Sequence, residues 1–428
     1  MVMQPPAALG ADTGEDETVR ISQGITAESA DAYSGGAEVT PDGRFVAFSS
    51  YATNLVPGDT NEAQDVFVRD TTLGVTERVS ISTTGEEGNG DSVGWPVAIS
   101  ANGRYVAFTS GADNLVDDDT NESTDAFVRD RLTGTTERIS IRSNGRQAND
   151  QTWVGIAMSR SGRFVAFESA ATNLVARDGN RRVDVFVRDR RHGTTSRISV
   201  ASSGKEARAD SRVADMSARG RLILFSSSAS NLVARDANRA VDVFIHNRHT
   251  ERTRLVSVTS RGRQGNDDSV WASMSDDGRQ VAFVSWADNL VPRDTNRRRD
   301  IFVRDRAART TERVSVSAAG TQGDRQSWED SDGPEISPDG RYVLYESAAT
   351  NLVRGDTNRH LDVFVHDRDT TATTRVSVNT AGVQGNRSSY SGDVTDQGQV
   401  AFESFATNLS SGDTNRTSDV FLRRATDG

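Results

Sequence analysis

The chain has 428 residues, of which 35% are hydrophobic and 26% are charged, and its formal net charge is −11 at pH 7. The absence of cysteine excludes disulfide bonds, a thiol nucleophile and cysteine metal sites. The acidic balance, with arginines interleaved among aspartates, argues against a nucleic-acid-binding surface. No apolar run is long enough to cross a bilayer, so we expect no membrane span.

The first 14 residues are predicted to be a flexible leader that lacks the charged start and apolar stretch of a signal peptide. Residues 15–428 are predicted to form a single domain. Arginine provides nearly all of the basic residues, since Lys205 is the only lysine. This usage is typical of a high-GC bacterial gene.

The domain consists of one sequence unit that recurs seven times. Each unit contains a tight turn with a glycine, and these glycines stand 58–62 residues apart: Gly43, Gly103, Gly162, Gly220, Gly278, Gly340 and Gly398. A first strand ends before the turn, and the following elements of the first unit are a strand over Arg44–Ser50, a long loop over Tyr51–Gln64, strands over Asp65–Asp70 and Thr76–Ser82, and a second long loop over Thr83–Gly94. The pattern predicts an all-β, seven-bladed propeller of four-stranded antiparallel blades.

The two ends of the chain are predicted to complete one blade. The seventh unit stops where its fourth strand should begin, and Val19–Thr40 aligns without a gap on Val79–Ser100. We therefore expect a closing blade split between residues 15–22 and 396–428, with the N-terminal strand outermost. Such closure removes the open edges that a row of sheets would leave.

The turn and second strand, as in Ser337–Ser347 (SPDGRYVLYES), resemble the TolB-type, WD40-like (PD40) propeller repeat. The resemblance covers the sheet-forming part of all seven units. It implies a propeller fold and, by analogy, protein docking or gating. The sequence departs from that family in one respect: the loop between the second and third strands is much longer here.

The first long loop of every unit carries the pattern Asp-x-Asn-x-x-x-Asp. Carboxylate and amide oxygens are ligands that calcium prefers, but the same residues also shape turns by bonding their own backbone, and both interpretations stay open. The candidate ligands of a structural calcium are Asp59, Asn61, Asp65, Asp119, Asn121, Asp125, Asp178, Asn180, Asp184, Asp236, Asn238, Asp242, Asp294, Asn296, Asp300, Asp356, Asn358, Asp362, Asp413, Asn415 and Asp419.

The second long loop brings an aromatic residue to the start of the first strand in six units. Because the first strand should line the central channel, these side chains could surround its mouth and stack on a sugar or anchor a protein. Packing between blades is the alternative. The candidate ligand-binding residues are Tyr33, Trp95, Trp153, Trp271, Trp328 and Tyr390.

No catalytic residue is predicted. Ser92 lies in a Gly-Asp-Ser-Val-Gly string, but without the strand–turn–helix context of a nucleophile elbow. The histidines form no metal-like pair, and no two carboxylates stand out from the repeated pattern. The five histidines are His192, His246, His249, His360 and His366.

Three functions follow from these patterns. We expect first a non-enzymatic, lectin-like propeller, secreted or periplasmic, that recognises a glycan on the face with the long loops. The alternatives are a TolB-like module that docks a protein or peptide, and a hydrolase or lyase acting in the channel. Near-equivalent sites around the ring would suit a multivalent target or a larger secreted assembly.

Overall fold

The computed structural model describes residues 16–327 and 333–424, apart from the side chains of residues 94–96. In this part of the chain 28 strands form seven four-stranded antiparallel sheets, so the predicted seven-bladed propeller is confirmed. The predicted leader lies outside the described residues. No helix of the described residues is long and apolar enough to span a membrane.

The innermost strand of each blade follows the second long loop. In the order of blades 1 to 7 these strands are β2 (Ser34–Val39), β6 (Ser92–Ile99), β10 (Thr152–Met158), β14 (Ser211–Met216), β18 (Ser269–Met274), β22 (Glu335–Ile336) and β26 (Ser389–Val394). The second strands are β3 (Phe45–Ser50), β7 (Tyr105–Ser110), β11 (Phe164–Ser169), β15 (Leu222–Ser227), β19 (Gln280–Ser285), β23 (Tyr342–Ser347) and β27 (Val400–Ser404).

The outer half of each blade consists of its third and fourth strands. The third strands are β4 (Asp65–Asp70), β8 (Asp125–Asp130), β12 (Asp184–Asp189), β16 (Asp242–Asn247), β20 (Asp300–Asp305), β24 (Asp362–Asp367) and β28 (Asp419–Arg424). The outermost strands of blades 1 to 6 are β5 (Val75–Arg78), β9 (Thr135–Arg138), β13 (Thr194–Arg197), β17 (Arg252–Leu255), β21 (Thr310–Arg313) and β25 (Ala372–Arg375), and that of blade 7 is β1 (Glu17–Arg20).

The core lies between the blades. Val46 and Phe48 of β3 are fully buried and pack with Phe67 against blade 7, and the rings of Phe48 and Phe67 stack with centroids 5.8 Å apart. Ala47 and Val66 point to the other face of the sheet and pack against blade 2. The predicted alternation of β3 is thus confirmed, and each sheet buries both faces because it has a neighbour on each side.

The N-terminal strand closes the ring. β1 pairs antiparallel with β28, with Glu17 opposite Arg424 and Val19 opposite Leu422. Blade 7 therefore combines both ends of the chain, as predicted. Its innermost strand, β26, precedes the predicted boundary at residue 396.

The two long loops of each blade lie on the same face, as the topology of a four-stranded blade requires. The side-chain nitrogen of Asn61, in the first long loop, donates to the carbonyl of Gly88, in the second, at 2.9 Å. The outermost strand is shorter than predicted: it ends at Arg78 because the chain then enters a small hairpin in which Ile81 pairs with Glu87. Among the described residues, the opposite face of the propeller carries only tight turns.

Candidate active site in the central channel

The innermost strands of the blades line the central channel. Each contacts the innermost strands of the two neighbouring blades, as β2 does with β6 and β26. Each runs from the long-loop face, where Ser34 pairs with Ser50, to the tight-turn face, where Val39 pairs with Val46. A residue near the end of an innermost strand therefore lies in the half of the channel next to the tight turns.

One channel residue stands five positions before each turn glycine. It is a carboxylic acid in four blades, a serine in one and an alanine in two. From blade 1 to blade 7 these residues are Glu38, Ala98, Ala157, Asp215, Ser273, Glu335 and Asp393. We call them the channel ring. All seven line one cavity of about 110 Å³, which has room for several water molecules.

The cavity has an acidic side and an apolar side. Blades 4 to 7 and blade 1 contribute the four acids and the serine of the channel ring. Blades 2 and 3 contribute the two alanines of the ring together with Ile99, Ile156 and Met158. At the level of the channel ring, a molecule in the cavity would meet carboxyl groups on one side and methyl groups on the other, and blade 3 adds the basic side chain of Arg160.

Backbone N–H groups hold the ring side chains in place. Asp215 accepts a hydrogen bond from the N–H of Met274 at 2.7 Å, and Asp393 accepts one from Val39 at 3.1 Å. In both cases the donor belongs to the next blade, and Ser273 accepts an equivalent bond. Each aspartate also accepts a bond from the residue that follows it. These bonds therefore join neighbouring blades and fix the orientation of the carboxylates of Asp215 and Asp393.

The surroundings raise the pKa of every acid in the ring. Burial raises the pKa of Asp215 to about 7 and that of Asp393 to about 6, against the opposing effect of backbone N–H groups and Arg160. Burial and the neighbouring carboxylates hold the pKa values of Glu38 and Glu335 well above the ordinary glutamate value. The cavity thus brings together several carboxyl groups with raised pKa values, the kind of group that acid–base catalysis uses.

Arg160 is the one basic residue among those that line the cavity in the described part of the chain. Its Nε donates to Asp276 at 2.7 Å, which links blades 3 and 5 at the tight-turn end of the channel. Burial disfavours its charge, but Asp276, Asp393 and Glu38 outweigh this effect and raise the pKa of Arg160. The arginine therefore stays charged and offsets part of the negative charge of the cavity.

A second set of acids lies on the second strands, nearer the long-loop face. Burial raises the pKa of Glu168 to about 6, and a nearby Arg212 opposes that shift. Glu403 accepts a hydrogen bond from the hydroxyl of Tyr33 at 3.0 Å, and Glu346 accepts one from the next blade. These glutamates extend the negative charge of the channel wall towards the long loops.

The raised pKa values predict a dependence of stability on pH. A carboxyl group whose pKa is raised by folding binds more protons in the folded state between about pH 4 and the raised value. Its contribution therefore favours folding at low pH and is lost as the pH rises through the raised pKa. We expect the Asp393→Asn variant to gain stability relative to the wild type between about pH 4 and pH 7, measured by urea unfolding.

Asp150→Asn, in an exposed loop of blade 2, is the matched control for this measurement. It removes the same charge from the surface, and the pH dependence of its stability is the baseline for that of Asp393→Asn. A pH dependence of Asp393→Asn no greater than that of the control would contradict the raised pKa of Asp393.

The repeated Asp-x-Asn loops are turns held by hydrogen bonds. In blade 1 the side-chain oxygen of Asn61 accepts the N–H of Ala63 at 3.1 Å, and its nitrogen donates to Asp65 at 2.9 Å. In all seven blades the residue after this asparagine has a left-handed backbone, with φ between 53° and 62°. These bonds are those expected from the turn-forming interpretation.

An arginine of the outermost strand lies beside the aspartates of most of these loops. Arg78 contacts Asp59 at 3.0 Å and Asp65 at 3.1 Å. Blades 2, 3, 5 and 6 repeat this arrangement, whereas in blade 4 Leu255 replaces the arginine and Gln264 donates to both aspartates. No group of three or more His, Cys, Asp or Glu that could hold a metal ion occurs among the described residues. Structural calcium stays a prediction.

The tryptophans predicted at the channel mouth are exposed where the structure describes them. Trp153 and Trp271 are 39% and 43% exposed, and they lie within β10 and β18 instead of before them. The guanidinium of Arg212 stacks over the ring of Trp153 at 4.5 Å. Trp286, which sequence reasoning did not select, is similarly exposed.

The two tyrosines of this set are half-buried. Tyr33 is tied to the channel wall by its hydroxyl, and Tyr390 packs edge-on against Phe405 with ring centroids 6.2 Å apart. The side chain of Trp95 and the whole of Trp328 lie outside the described residues. Ligand binding by the six aromatic residues stays a prediction.

Two catalytic candidates that the sequence argued against have structural contacts. Ser92 is fully buried, and its Oγ lies 2.9 Å from that of Ser110. The ring of His246 is buried and lies 2.9 Å from the hydroxyl of Thr253, and His366 makes the equivalent contact. These contacts give Ser92, His246 and His366 structural roles that require no catalytic function.

The expectation that no carboxylates stand out from the repeat is wrong, because the channel ring does so. Its signal was available: aligning the units on the turn glycine shows a position that changes from acid to alanine between blades. The ring also lies in the tight-turn half of the channel and not among the long loops. Sequence reasoning missed the ring because it gave weight to residues that recur in every unit. A single site in a ring of equivalent blades is marked instead by residues that differ between the units.

No protein-family model and no curated protein matches this sequence. Solved structures do match. An oligogalacturonate lyase in complex with manganese is 11% identical with a TM-score of 0.55, over 96% of this chain and 97% of that chain. The acylaminoacyl peptidase of Pyrococcus horikoshii is 11% identical with a TM-score of 0.54, over 92% of this chain and 51% of that chain. This chain therefore spans about half the length of that peptidase.

TolB from Acinetobacter baumannii is 13% identical with a TM-score of 0.43, over 82% of this chain and 65% of that chain. At these identities the likenesses show the β-propeller fold alone. The likenesses with a TM-score above 0.5 thus support a propeller fold, and no family model supports membership of the TolB-type repeat family. Nothing in these likenesses supports a lectin function.

The prediction that the protein is not an enzyme is contradicted. Two structures with this fold are named as a lyase and a peptidase, so a propeller gives no reason to exclude catalysis. The other reason for that prediction, the lack of a distinct acidic cluster, is removed by the channel ring.

Proposed function

We propose that the protein is a hydrolase that uses the carboxyl groups of the channel ring for acid–base catalysis. One observation carries the proposal: four of seven equivalent positions are acids that share one cavity and have raised pKa values. Carboxyl groups perturbed in this way, facing a cavity and departing from the repeat, are candidates for catalysis. A purely structural ring would not need acids in some blades and alanine in others.

The roles follow from the pKa values and from the order of the blades. Glu335, Asp393 and Glu38 belong to the consecutive blades 6, 7 and 1. Asp393, with a pKa of about 6, is ionised near neutral pH and accepts a proton from an attacking water. A neighbouring glutamate, whose pKa is raised well above the ordinary value, donates a proton to the leaving group. The water oxygen bonds to the substrate carbon as the bond to the leaving group breaks.

The charge of the cavity selects the substrate. Several acids, offset only in part by the guanidinium of Arg160, favour a neutral or cationic group and repel a polyanion. The apolar side formed by blades 2 and 3 suits the uncharged part of such a substrate. We therefore propose a glycoside or a peptide with a basic side chain, of which one small group enters the cavity.

The experiment is a hydrolysis screen with nitrophenyl glycosides and with nitroanilides of lysine- and arginine-containing peptides, between pH 5 and pH 8. We expect turnover in at least one of these classes, with a rate that depends on a group titrating near pH 6. Absence of turnover in both classes, or turnover insensitive to pH over this range, would contradict the proposal.

A second candidate function is the docking of a basic peptide or protein segment. The same acidic cavity favours it, because a lysine or arginine side chain would neutralise the ring without any bond being broken. Saturable binding of a lysine-rich peptide, without its cleavage, would favour docking over hydrolysis.

A further inference from the structure

Two kinds of ion pair recur on the tight-turn side of the propeller. The arginine after the turn glycine pairs with the aspartate that ends the third strand, as Arg44 does with Asp70 at 2.8 Å. At three seams the arginine after that aspartate reaches the previous blade and pairs with a glutamate of its outermost strand: Arg131 with Glu77, Arg190 with Glu137, and Arg368 with Glu312 at 2.9 Å. Both pairs balance arginine charge at the seams of the ring.

Blade 4 loses the acid of both pairs. Arg221, after the turn glycine of this blade, meets Asn247 where other blades have aspartate. Arg306 of blade 5 meets Arg254 of blade 4, at the position equivalent to that of Glu312 in the pair with Arg368. Among the seven equivalent positions of the outermost strands, arginine occurs in blade 4 alone.

A third change accompanies these two. In blade 1 the residue after the arginine is Phe45, and Arg131 of the next blade stacks on its ring at 4.6 Å. In blade 4 this residue is Leu222, so Arg306 has no such ring to stack on. Three departures from the repeat therefore coincide at the seam between blades 4 and 5. Each of them removes an acid or an aromatic ring that contacts an arginine in other blades.

The outcome is a basic cleft between blades 4 and 5. Its volume is about 290 Å³, and its lining residues include no carboxylate. Arg306 is half-buried and donates one N–H to the carbonyl of Gly278; burial and the like charge of Arg254 lower the pKa of Arg306, although Asp277 opposes them. The lining residues are Arg221, Leu222, Ile245, Asn247, Thr250, Arg252, Arg254 and Arg306.

We propose that this cleft binds a small oxyanion, namely a phosphate or sulfate group. Guanidinium groups bind the oxygens of such anions through paired, charge-assisted hydrogen bonds. The bound anion would supply the negative charge that is missing because Asn247 and Arg254 stand where other blades have acids. The site stands apart from the channel ring, and the proposal does not depend on hydrolysis in the channel.

The test is isothermal titration calorimetry of the full chain with inorganic phosphate and with sulfate, against sodium chloride at equal ionic strength. We expect saturable binding of one anion per chain, absent with chloride. Heat from phosphate and sulfate no greater than that from chloride would overturn the proposal.

Two variants restore the repeat and so should fold at least as well as the wild type. Arg254→Glu rebuilds the pair with Arg306, and Asn247→Asp rebuilds the pair with Arg221. We expect each to weaken anion binding at least about tenfold, because each introduces a carboxylate that competes for a guanidinium. Thermal unfolding at or above the wild-type temperature shows that the loss is not due to misfolding.

Arg146→Glu, in an exposed loop of blade 2, has the same charge change as Arg254→Glu and should bind the anion as the wild type does. Equal loss in Arg146→Glu would mean that net charge and not the cleft determines binding. Unchanged binding in Arg254→Glu would overturn the assignment of the cleft.

Discussion

Replacing Asp393 with asparagine is expected to lower the turnover number by about two to four orders of magnitude, the usual contribution of a general acid or base. Asparagine has nearly the shape of aspartate and keeps an oxygen that can accept the N–H of Val39 or Val394. It cannot take a proton from water. The loss should therefore appear in kcat with little change in KM.

The control for this prediction is Glu62→Gln, which neutralises an exposed loop glutamate far from the channel and should keep full activity. Glu335→Gln is expected to lose activity as well, because it removes a candidate proton donor beside Asp393. If both channel variants turned over substrate at the rate of the wild type, the channel ring would not be the catalytic site.

Replacing Phe48 with alanine is expected to lower the free energy of unfolding by roughly 3–5 kcal/mol. Phe48 is fully buried at the seam of blades 1 and 7 and stacks on Phe67. The rigid strands on both sides cannot close the cavity that the ring would leave. Urea unfolding followed by tryptophan fluorescence measures the difference.

Val75→Ala is the control in the same blade, since Val75 is 58% exposed on the outermost strand. Its effect should remain within about 0.5 kcal/mol. A cost below about 1 kcal/mol for Phe48→Ala would mean that the register of β3 is not the one described.

The fold could be predicted almost completely because propeller blades are local and repeated. The number of turn glycines predicted the number of blades. Because the seventh unit lacks a fourth strand, the N-terminal strand β1 could be predicted to complete it. The ends of strands were less predictable, since Ile81 and Glu87 form a small hairpin that shortens β5. Such a hairpin cannot be predicted from the periodicity of its side chains.

The site was not predicted because its residues come together only through closure of the ring. Glu38 and Asp393 are 355 positions apart in the chain but belong to adjacent blades. Their raised pKa values come from burial in the cavity, which no local pattern encodes. The conspicuous Asp-x-Asn motif had a simpler cause: it shapes a turn in every blade.

Carbon-13 NMR titration of the aspartate and glutamate carboxyl groups is the most direct test of the central claim, because it needs no substrate. The Asp215→Asn, Asp393→Asn, Glu335→Gln and Glu38→Gln variants assign the signals. We expect Asp215 to titrate with a pKa of about 7, Asp393 with a pKa of about 6, and Glu38 and Glu335 well above the ordinary glutamate value. Titration of all four groups near pH 4, as in exposed carboxyl groups, would contradict a channel ring poised for acid–base catalysis.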